Sequence, residues 1–205
     1  MLDIFIKGGV VLWTIILLSV IALAIVIERY LYFKRIRTDE EKLFLRVKSA
    51  ISKGHFDEAM AICDASPSPF SSLLKTGIEH RERSPYERKE VLKDTAAQEV
   101  PRLEKHIGAL GTIAHISPLL GLLGTVTGNI RAFGVLGRFG SVGDPSILAK
   151  GISEALITTA AGLIVAIPAT IFYNALTSRV NGLIVRMENQ VNEMTLLLEG
   201  GEAEQ

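Results

Sequence analysis

Long uncharged runs of apolar residues alternate with strongly charged stretches along the chain. Three runs contain no Asp, Glu, Lys or Arg, and they cover residues 8–27, 107–130 and 155–178. Each run reaches the roughly 20 residues with which a helix, rising 1.5 Å per residue, crosses about 30 Å of hydrocarbon. A soluble core would not segregate its apolar residues in this way. The pattern therefore predicts an all-α integral membrane protein with three transmembrane helices.

The first run has flanks that differ from those of a signal peptide. It lacks a small-residue cleavage site, and the residues that follow at 28–35 are ERYLYFKR. Basic residues together with interfacial aromatics are typical of a stop-transfer flank. We therefore expect a retained span, with Trp13 toward one membrane interface and Tyr30 and Tyr32 toward the other.

Basic residues are concentrated at three of the six ends of these runs. They follow the first run (Arg29, Lys34, Arg35, Arg37), precede the second (Arg102, Lys105) and follow the third (Arg179, Arg186), whereas the opposite ends are poorer, with Lys7, Arg138 and Lys150. The positive-inside rule then places the N-terminus outside and the C-terminus in the cytoplasm. The predicted segments are an outer N-terminus with the first span (1–33), a cytoplasmic helical domain (34–106), the second span (107–136), an outer loop (137–150), the third span (151–178) and a cytoplasmic C-terminal helix and tail (179–205).

The charged stretch after the first run is rich in helix formers and is interrupted by helix-boundary signals. These signals are Gly54-His55, Pro67, Pro69 and Ser84-Pro85. They are typical of helix ends and not of strand turns, and no alternating pattern indicates a sheet. We predict helices near 39–53, 56–64, 70–82 and from 86 onward.

Two longer helices are also predicted. After Pro85, only Pro101 and Pro118 interrupt the helical pattern, so we expect one long, kinked helix to run from the cytoplasm into the second span. Asp144-Pro145 has the order of an N-cap and a first helical residue, and it marks the start of the third helix outside the membrane. Beyond the third span, helical spacing continues at Val180, Leu183, Ile184, Met187, Val191, Met194 and Leu198. This apolar stripe on a projecting helix needs a partner.

Small and polar residues share one face of the second span. On a helical wheel centred on Thr125, the residues within about 60° of it are Pro118, Gly121, Gly128, Asn129 and Ala132, and those on the far side are Leu119, Leu120, Leu123 and Ile130. Gly124 and Gly128 also have the GxxxG spacing of closely packed membrane helices. Helix packing alone explains these glycines, but it explains Thr125 and Asn129 less readily.

The third span carries a line of hydroxyl residues. Centred on Thr159, the wheel places Ala166, Thr170 and Thr177 close to one line and Gly162 about 60° away. A single membrane threonine usually bonds the carbonyl four residues before it. Two polar stripes on neighbouring spans instead favour a shared seam, hydrated or filled by another helix. Pro168 is tolerable here because neighbouring helices can satisfy the backbone group that it frees.

Glu154 is the acidic residue at the start of the third span. A carboxylate in a membrane is expected to face a cavity or a partner. Lys150, four residues earlier, offers an ion pair near the outer interface. On a straight helix Glu154 is about 140° from Thr159 and about 40° from Thr158. Spacing alone leaves both an interfacial ion pair and a pore-lining group open.

Other kinds of chemistry find little support in the sequence. A formal net charge of zero argues against nucleic-acid binding through bulk positive charge. The stretch 121–128, GLLGTVTG, lacks a Walker lysine, and His115 and Ser117 have no nearby carboxylate. The histidines and Cys63 show no metal spacing, so Cys63 is interpreted as a buried structural thiol. We expect neither an enzyme nor a cofactor.

Two motifs carry a family resemblance. They are ISPLLGLLGTVTG at 116–128 and GISEALITTAAGLIVAIPA at 151–169, the latter followed by Tyr173-Asn174. In this order and topology they resemble the ExbB/TolQ/MotA family of proton-driven motor subunits, and the resemblance covers most of the chain. Glu28-Arg29 and Gly54-His55-Phe56 agree with it. The number of spans, three and not four, resembles that of the ExbB/TolQ branch of the family.

The resemblance implies a homo-pentameric ring in the bacterial inner membrane, with a periplasmic N-terminus. Its second and third spans would line a pore occupied by two copies of an ExbD- or TolR-like single-span partner, which supplies a titrating aspartate. A TonB- or TolA-like protein is a further implied partner. Thr125 and Thr159 match the family's pore-facing hydroxyls, and Glu154 matches its acidic residue near the pore mouth. Thr158 departs from the family pattern, since relatives often have alanine there.

The function that follows is conversion of proton-motive force into mechanical work on the cell envelope. Hydroxyls can pass a proton to a carboxylate without holding charge themselves, and no aspartate or lysine lies inside the spans. We expect the remaining marked residues to line the pore or pack helices, namely Gly121, Gly124, Gly128, Asn129, Thr158, Gly162 and Pro168. The alternative is a structural membrane scaffold that packs helices and recruits cytoplasmic proteins without conducting protons.

Overall fold

The computed structural model describes the backbone of residues 9–139 and 145–202, and it describes their side chains except at 9, 37–41, 135–139, 145, 147 and 199–202. Within these ranges the chain forms six helices and no strand. They are α1 (Gly9–Ser52), α2 (Phe56–Ala65), α3 (Pro69–Glu79), α4 (Pro85–Glu104), α5 (Ile107–Phe139) and α6 (Pro145–Glu202). The all-α prediction is confirmed for this part of the chain.

Three of these helices are long and apolar enough to cross a membrane, as predicted. The candidate spans are Val10–Ile36 in α1, Ile107–Gly134 in α5 and Leu148–Leu198 in α6. Their most apolar windows have mean hydropathies of 3.1, 1.6 and 2.1. Large apolar side chains on these spans are exposed, among them Leu122, Ile130 and Ile164, which is the surface that hydrocarbon tolerates.

The helices form two compact units. The membrane unit comprises Met1–Glu28 and His106–Leu176, and the helical unit comprises Arg29–Lys105 and Thr177–Gln205. The described part of the membrane unit contains the first part of α1, all of α5 and α6 as far as Leu176. The helical unit contains the rest of α1, helices α2 to α4 and the end of α6.

The helical unit has a core of large apolar side chains. Phe70, Leu73 and Leu74 of α3 are almost fully buried. The predicted apolar stripe on α6 supplies the opposite wall of this core, since Val180, Leu183, Met187, Val191, Met194 and Leu198 are also buried. Met194 packs directly over Gly77 of α3. The stripe therefore finds its partner within the same chain.

Serine caps start α3 and α4 where the sequence predicts helix boundaries. Ser68 accepts a hydrogen bond from the Ser71 N–H, Ser84 accepts one from the Glu87 N–H, and a proline follows each cap. Both ends are capping boxes with a proline at the first helical position, an arrangement that satisfies otherwise unpaired N–H groups. The helix predicted over 70–82 ends earlier, at Glu79.

One prediction about helix continuity is wrong. The expected long helix from Pro85 into the second span breaks between Glu104 and Ile107, because His106 adopts a left-handed backbone conformation with φ of 65°. Conversely, the first span and the predicted helix at 39–53 form one uninterrupted helix, α1. The residues that join them, KRIRTDEEK at 34–42, include neither glycine nor proline and favour helix.

The third long helix starts where the sequence predicts. α6 begins at Pro145 and continues to Glu202, passing through Pro168 without interruption. The expected cap, Asp144, lies outside the described residues. The predicted membrane orientation and the segment boundaries stay predictions.

Candidate functional site

Within the membrane unit, α5 and α6 pack along small residues, and this contact is here named the α5–α6 seam. Its members are Ser117, Gly121, Gly124 and Gly128 on α5 and Gly151, Ala155, Thr158 and Gly162 on α6. The closest approach between the two backbones is at Gly162, where a Cβ would lie 2.5 Å from the Ser117 carbonyl oxygen and 3.2 Å from the Gly121 Cα. At this point the two backbones touch, and only glycine fits.

The GxxxG pair of α5 lies in the same seam. A Cβ on Gly128 would lie 2.7 Å from the Ala155 Cβ, and one on Gly124 would overlap the Thr158 side chain. Further along, a Cβ on Gly151 would lie 2.9 Å from the Ala132 Cβ. Helix packing accounts for these glycines, in the manner of closely packed small residues in membranes.

The structure brings Thr125 and Thr159 together at the edge of the seam. The Thr159 hydroxyl donates to the Gly121 carbonyl at 2.8 Å, and its oxygen lies 3.4 Å from the Thr125 hydroxyl oxygen. The Thr125 hydroxyl donates to the Leu122 carbonyl at 2.7 Å. Both threonines are half-buried. Thr159 thus makes a hydrogen bond between helices, beyond the bond within one helix that is usual for a membrane threonine.

Thr158 and Thr159 are adjacent in sequence but have different surroundings. Thr158 is 3% exposed, and its hydroxyl donates to the Glu154 carbonyl of its own helix at 3.0 Å. Its methyl side packs against Gly124. A side chain that fills space and satisfies its own hydroxyl in this way is a packing residue.

Glu154 lines a small cavity of about 120 Å³ with Thr158 and not with Thr159. The carboxylate is half-buried, and the described part of the chain shows no ion pair between it and Lys150. Arg131 of α5 lines the same cavity. The sequence reasoning missed Arg131 because the uncharged run was taken to end at Ile130. The sequence did contain a signal for Arg131, because this residue lies one helical turn after Thr127 and therefore on the same face of α5.

The other marked residues have more ordinary positions. Asn129 is half-buried and Pro168 is exposed on α6. Thr170 donates to the Ala166 carbonyl at 2.8 Å, so its hydroxyl is satisfied within its own helix. His115 contacts the Gly111 carbonyl through Nδ1, whereas Ser117 donates to the Ile113 carbonyl, and the two side chains form no hydrolytic pair.

Cys63 lies in the core of the helical unit. It is 3% exposed, and burial, reinforced by the charge of Asp64, raises the pKa of its thiol to about 11 despite the opposing charge of Lys75. A protonated buried thiol is a poor nucleophile. In the residues that the structure describes, no three His, Cys, Asp or Glu side chains form a group that could hold a metal ion.

The fold and the seam define a class of protein. Three apolar helices with a glycine-lined contact, and hydroxyls bridging that contact, describe a polytopic α-helical membrane protein whose polar groups meet between spans. Residues 65–189 match the model of the MotA/TolQ/ExbB proton channel family. The chain belongs to this family.

Curated relatives agree with the family assignment. A putative biopolymer transport protein ExbB-like 1 from Synechocystis sp. is 37% identical over 180 residues, which cover 87% of this chain and 71% of that protein. The Tol-Pal system protein TolQ of Haemophilus influenzae is 42% identical over 101 residues, 49% of this chain and 44% of its own length. The biopolymer transport protein exbB1 of Vibrio cholerae is 45% identical over 92 residues, covering 44% and 40% respectively.

Proposed function

We propose that this chain is a proton-channel and motor subunit of a bacterial inner membrane that converts proton-motive force into work on the cell envelope. The observation that carries the proposal is the hydroxyl pair at the seam edge, Thr125 and Thr159, joined across two spans. The family and its ExbB- and TolQ-named relatives support the same role. The chain is then the stationary partner of a complex, with its N-terminus in the periplasm and its C-terminus in the cytoplasm.

The chemistry of the hydroxyl pair suits proton transfer better than proton storage. A hydroxyl donates one hydrogen and accepts at two lone pairs, so it can pass a proton without carrying net charge. The Thr159 hydroxyl hydrogen is bonded to the Gly121 carbonyl, and the Thr125 hydroxyl hydrogen is bonded to the Leu122 carbonyl. Each hydroxyl oxygen therefore keeps a lone pair that can accept a hydrogen bond from an incoming donor. A group that takes up and releases the proton must come from elsewhere.

That group is, in this proposal, an aspartate on an ExbD- or TolR-like single-span partner. Five copies of the chain would surround two copies of the partner, with Thr125 and Thr159 facing its span and Glu154 near the periplasmic end. A potential of about 100 mV supplies about 2.3 kcal/mol per proton, which would bias successive positions of the partner in the ring. A TonB- or TolA-like protein would carry the resulting displacement to the envelope.

The test is proton uptake by proteoliposomes that contain the chain together with an ExbD- or TolR-like single-span protein. With a potassium diffusion potential, we expect partner-dependent uptake that Thr159→Ala reduces by about tenfold, the effect of losing roughly 1.4 kcal/mol of transition-state hydrogen bonding. Thr170→Ala is the matched control, since it removes a hydroxyl that is satisfied within the same helix. Uptake by Thr159→Ala equal to that of the unaltered chain contradicts the pore role.

A structural scaffold is the second candidate, and the glycine contacts of the seam favour it, because they serve packing alone. A scaffold predicts no partner-dependent proton uptake by the unaltered protein. It also predicts that Thr159→Ala changes only the stability of the packed pair α5 and α6, here called the hairpin. The native mass of the detergent-purified complex tests the stoichiometry separately, and any count other than five removes that part of the proposal.

A further inference from the structure

The helical unit contains a cavity of about 520 Å³ between α1, the start of α3 and the end of α4. Binding sites for small molecules typically have volumes of about 300 to 1,000 Å³. Apolar side chains form part of the described lining, and the polar part includes Tyr32, Arg35, Ser72, Glu99 and Arg102. A lining of this mixed kind is suited to a ligand that has both a charged and an apolar portion.

The charged side chains of this cavity favour an anion. Arg102 donates through Nη1 to both oxygens of Glu99, at 3.0 and 3.2 Å, and Glu99 is only 7% exposed. The buried carboxylate therefore holds the guanidinium in place. Because Glu99 compensates one of the two arginines, Arg35 and Arg102 leave a single positive charge on the described lining.

Arg102 is accessible to a ligand although it is held by Glu99. Both bonds to the carboxylate use Nη1, whereas the other two nitrogens of a guanidinium carry three further N–H donors. The Arg102 side chain is 72% exposed, and Arg35 is also exposed. A ligand that arrives from outside the helical unit can therefore reach both arginines.

Both arginines lie close along the chain to a membrane-crossing segment. Arg35 is at the end of the first candidate span, Val10–Ile36, and Arg102 comes five residues before the second, Ile107–Gly134. Tyr32 of the same lining is an aromatic residue of the type found at membrane interfaces. Basic pockets beside membrane helices recognise the headgroups of anionic lipids. The cavity thus combines a positive charge with the expected level of lipid phosphates.

We infer that this cavity binds the phosphate of an anionic phospholipid, with Arg35 and Arg102 as its hydrogen-bond donors. The planar guanidinium matches phosphate oxygens with pairs of parallel N–H bonds. The apolar part of the lining, which includes Ile36 and Leu43, contacts the carbon atoms next to the headgroup. Lipid binding here goes beyond the proposed proton channel and does not depend on it. It would fasten the helical unit to the membrane surface.

Melting of the full-length chain in detergent micelles tests lipid binding. The probes are phosphatidylglycerol and phosphatidylcholine with identical acyl chains, added at equal mole fractions. Phosphatidylglycerol should raise the Tm through mass action more than phosphatidylcholine does. Arg35→Gln should need about fivefold more phosphatidylglycerol for the same rise, equal to about 1 kcal/mol, which is the usual contribution of one basic residue at an anionic membrane surface. Equal responses of the unaltered chain to the two lipids would contradict the inference.

Arg46→Gln is the matched control for Arg35→Gln. Arg46 follows Arg35 by eleven residues, so it lies on the same face of α1 three turns further along. It is also exposed, and it is not part of the described lining of the cavity. Its loss should leave the response to phosphatidylglycerol unchanged. If both variants weaken the response equally, the lipid responds to the overall charge of the chain and the cavity is not its site.

Two further measurements exclude other causes of the same result. The Tm rise of each variant is measured from its own Tm in phosphatidylcholine, so a change in folding stability does not count as a change in binding. Glycerol 1-phosphate and inorganic phosphate, at equal ionic strength, replace the lipid in a second series. They should need at least about tenfold higher concentration than phosphatidylglycerol. If they stabilise the chain at the same concentration, its ligand is a soluble phosphate compound and the assignment to a lipid is wrong.

Discussion

The α5–α6 seam and the core of the helical unit are both contacts between packed helices, yet they use different side chains. The seam consists of glycine, alanine, serine and threonine, and its closest backbone contact is Gly162 against the Ser117 carbonyl. The helical core is built from side chains such as Phe70, Leu74 and Met187, each 1% exposed. Lipid tails solvate leucine as well as another leucine does, so only close backbone approach and polar contacts draw membrane helices together. Water instead drives large apolar side chains into contact.

The difference teaches where each region tolerates change. In the helical unit, stability depends on the apolar volume that is buried, and deletion of side-chain atoms is the damaging change. In the seam, stability depends on the absence of side-chain volume, and addition of atoms is the damaging change. Substitutions in the core, substitutions at two glycines and one chemical reaction of a buried thiol test this contrast.

The largest effect is expected in the helical core. Phe70→Ala removes a side chain that is 1% exposed, so the free energy of unfolding should fall by about 4 kcal/mol through lost transfer energy and the cavity left behind. Tyr86→Ala is the control, because Tyr86 is 77% exposed on α4 and surface changes stay within about 0.5 kcal/mol. Urea titration in mild detergent, followed by circular dichroism, measures both. Similar losses for the two variants would show that this core is loosely packed.

The next effect is expected in the seam. Gly162→Ala places a Cβ 2.5 Å from the Ser117 carbonyl oxygen, and because a backbone atom in a helix cannot rotate away, the hairpin should lose about 2 kcal/mol of stability. Gly108→Ala is the control on α5, where no atom lies within 4 Å of the added Cβ and alanine improves helix propensity by about 1 kcal/mol. Unfolding titrations in sodium dodecyl sulfate measure the difference.

A glycine of the helical unit completes this prediction. A Cβ on Gly77 would lie 2.9 Å from the Met194 Cγ, which is also too close. Methionine has three rotatable side-chain bonds and can yield, so Gly77→Ala should cost less than about 1 kcal/mol. If Gly77→Ala and Gly162→Ala destabilise the protein equally, the proposed contrast between a rigid seam and an adaptable core is incorrect.

The smallest effect on stability at neutral pH is expected at Cys63, and its test needs no substitution because Cys63 is the single cysteine of the chain. Its thiol pKa is raised from 9.0 to about 11 by burial and by Asp64. The folded state therefore binds this proton more tightly than the unfolded state, so the stability from this group is complete below pH 9 and is lost as pH rises toward 11. At pH 8 about a hundredfold less thiolate forms than at an ordinary cysteine.

The rate of reaction with iodoacetamide measures this thiolate directly. The rate should continue to rise through pH 10, with no plateau near pH 9. A plateau near pH 9 would mean that the thiol reaches solvent readily and that the core of the helical unit does not shield it.

The membrane spans and the capped helices of the fold could be predicted from the sequence because their signals are local. Uncharged length predicts the spans, and serine followed by proline predicts the starts of α3 and α4. The break at His106 could not be predicted in this way. Nothing in the sequence around it, RLEKHIGAL at 102–110, marks a helix boundary, because the stretch contains no proline and its single glycine, Gly108, lies inside α5.

The candidate site divides in a similar manner. A helical wheel places Gly121, Thr125 and Gly128 on one face of α5, since that face depends only on helical geometry. The wheel cannot give the register between two helices, so it cannot show that Thr159 reaches the Gly121 carbonyl while Thr158 fills space at Gly124. Arg131 was missed for a different reason, because a hydropathy window ends where the first charge appears.

The contact between Gly162 and the Ser117 carbonyl also has an electrical consequence. Two backbones this close leave no volume for a water molecule, so at this height the hairpin acts as an insulator of low dielectric constant. Ions then have no path between α5 and α6 themselves. Under the proposed function, the α5–α6 pair alone would not leak ions across an energised membrane, and conductance would arise only at the hydroxyl-bearing edge when the complex assembles.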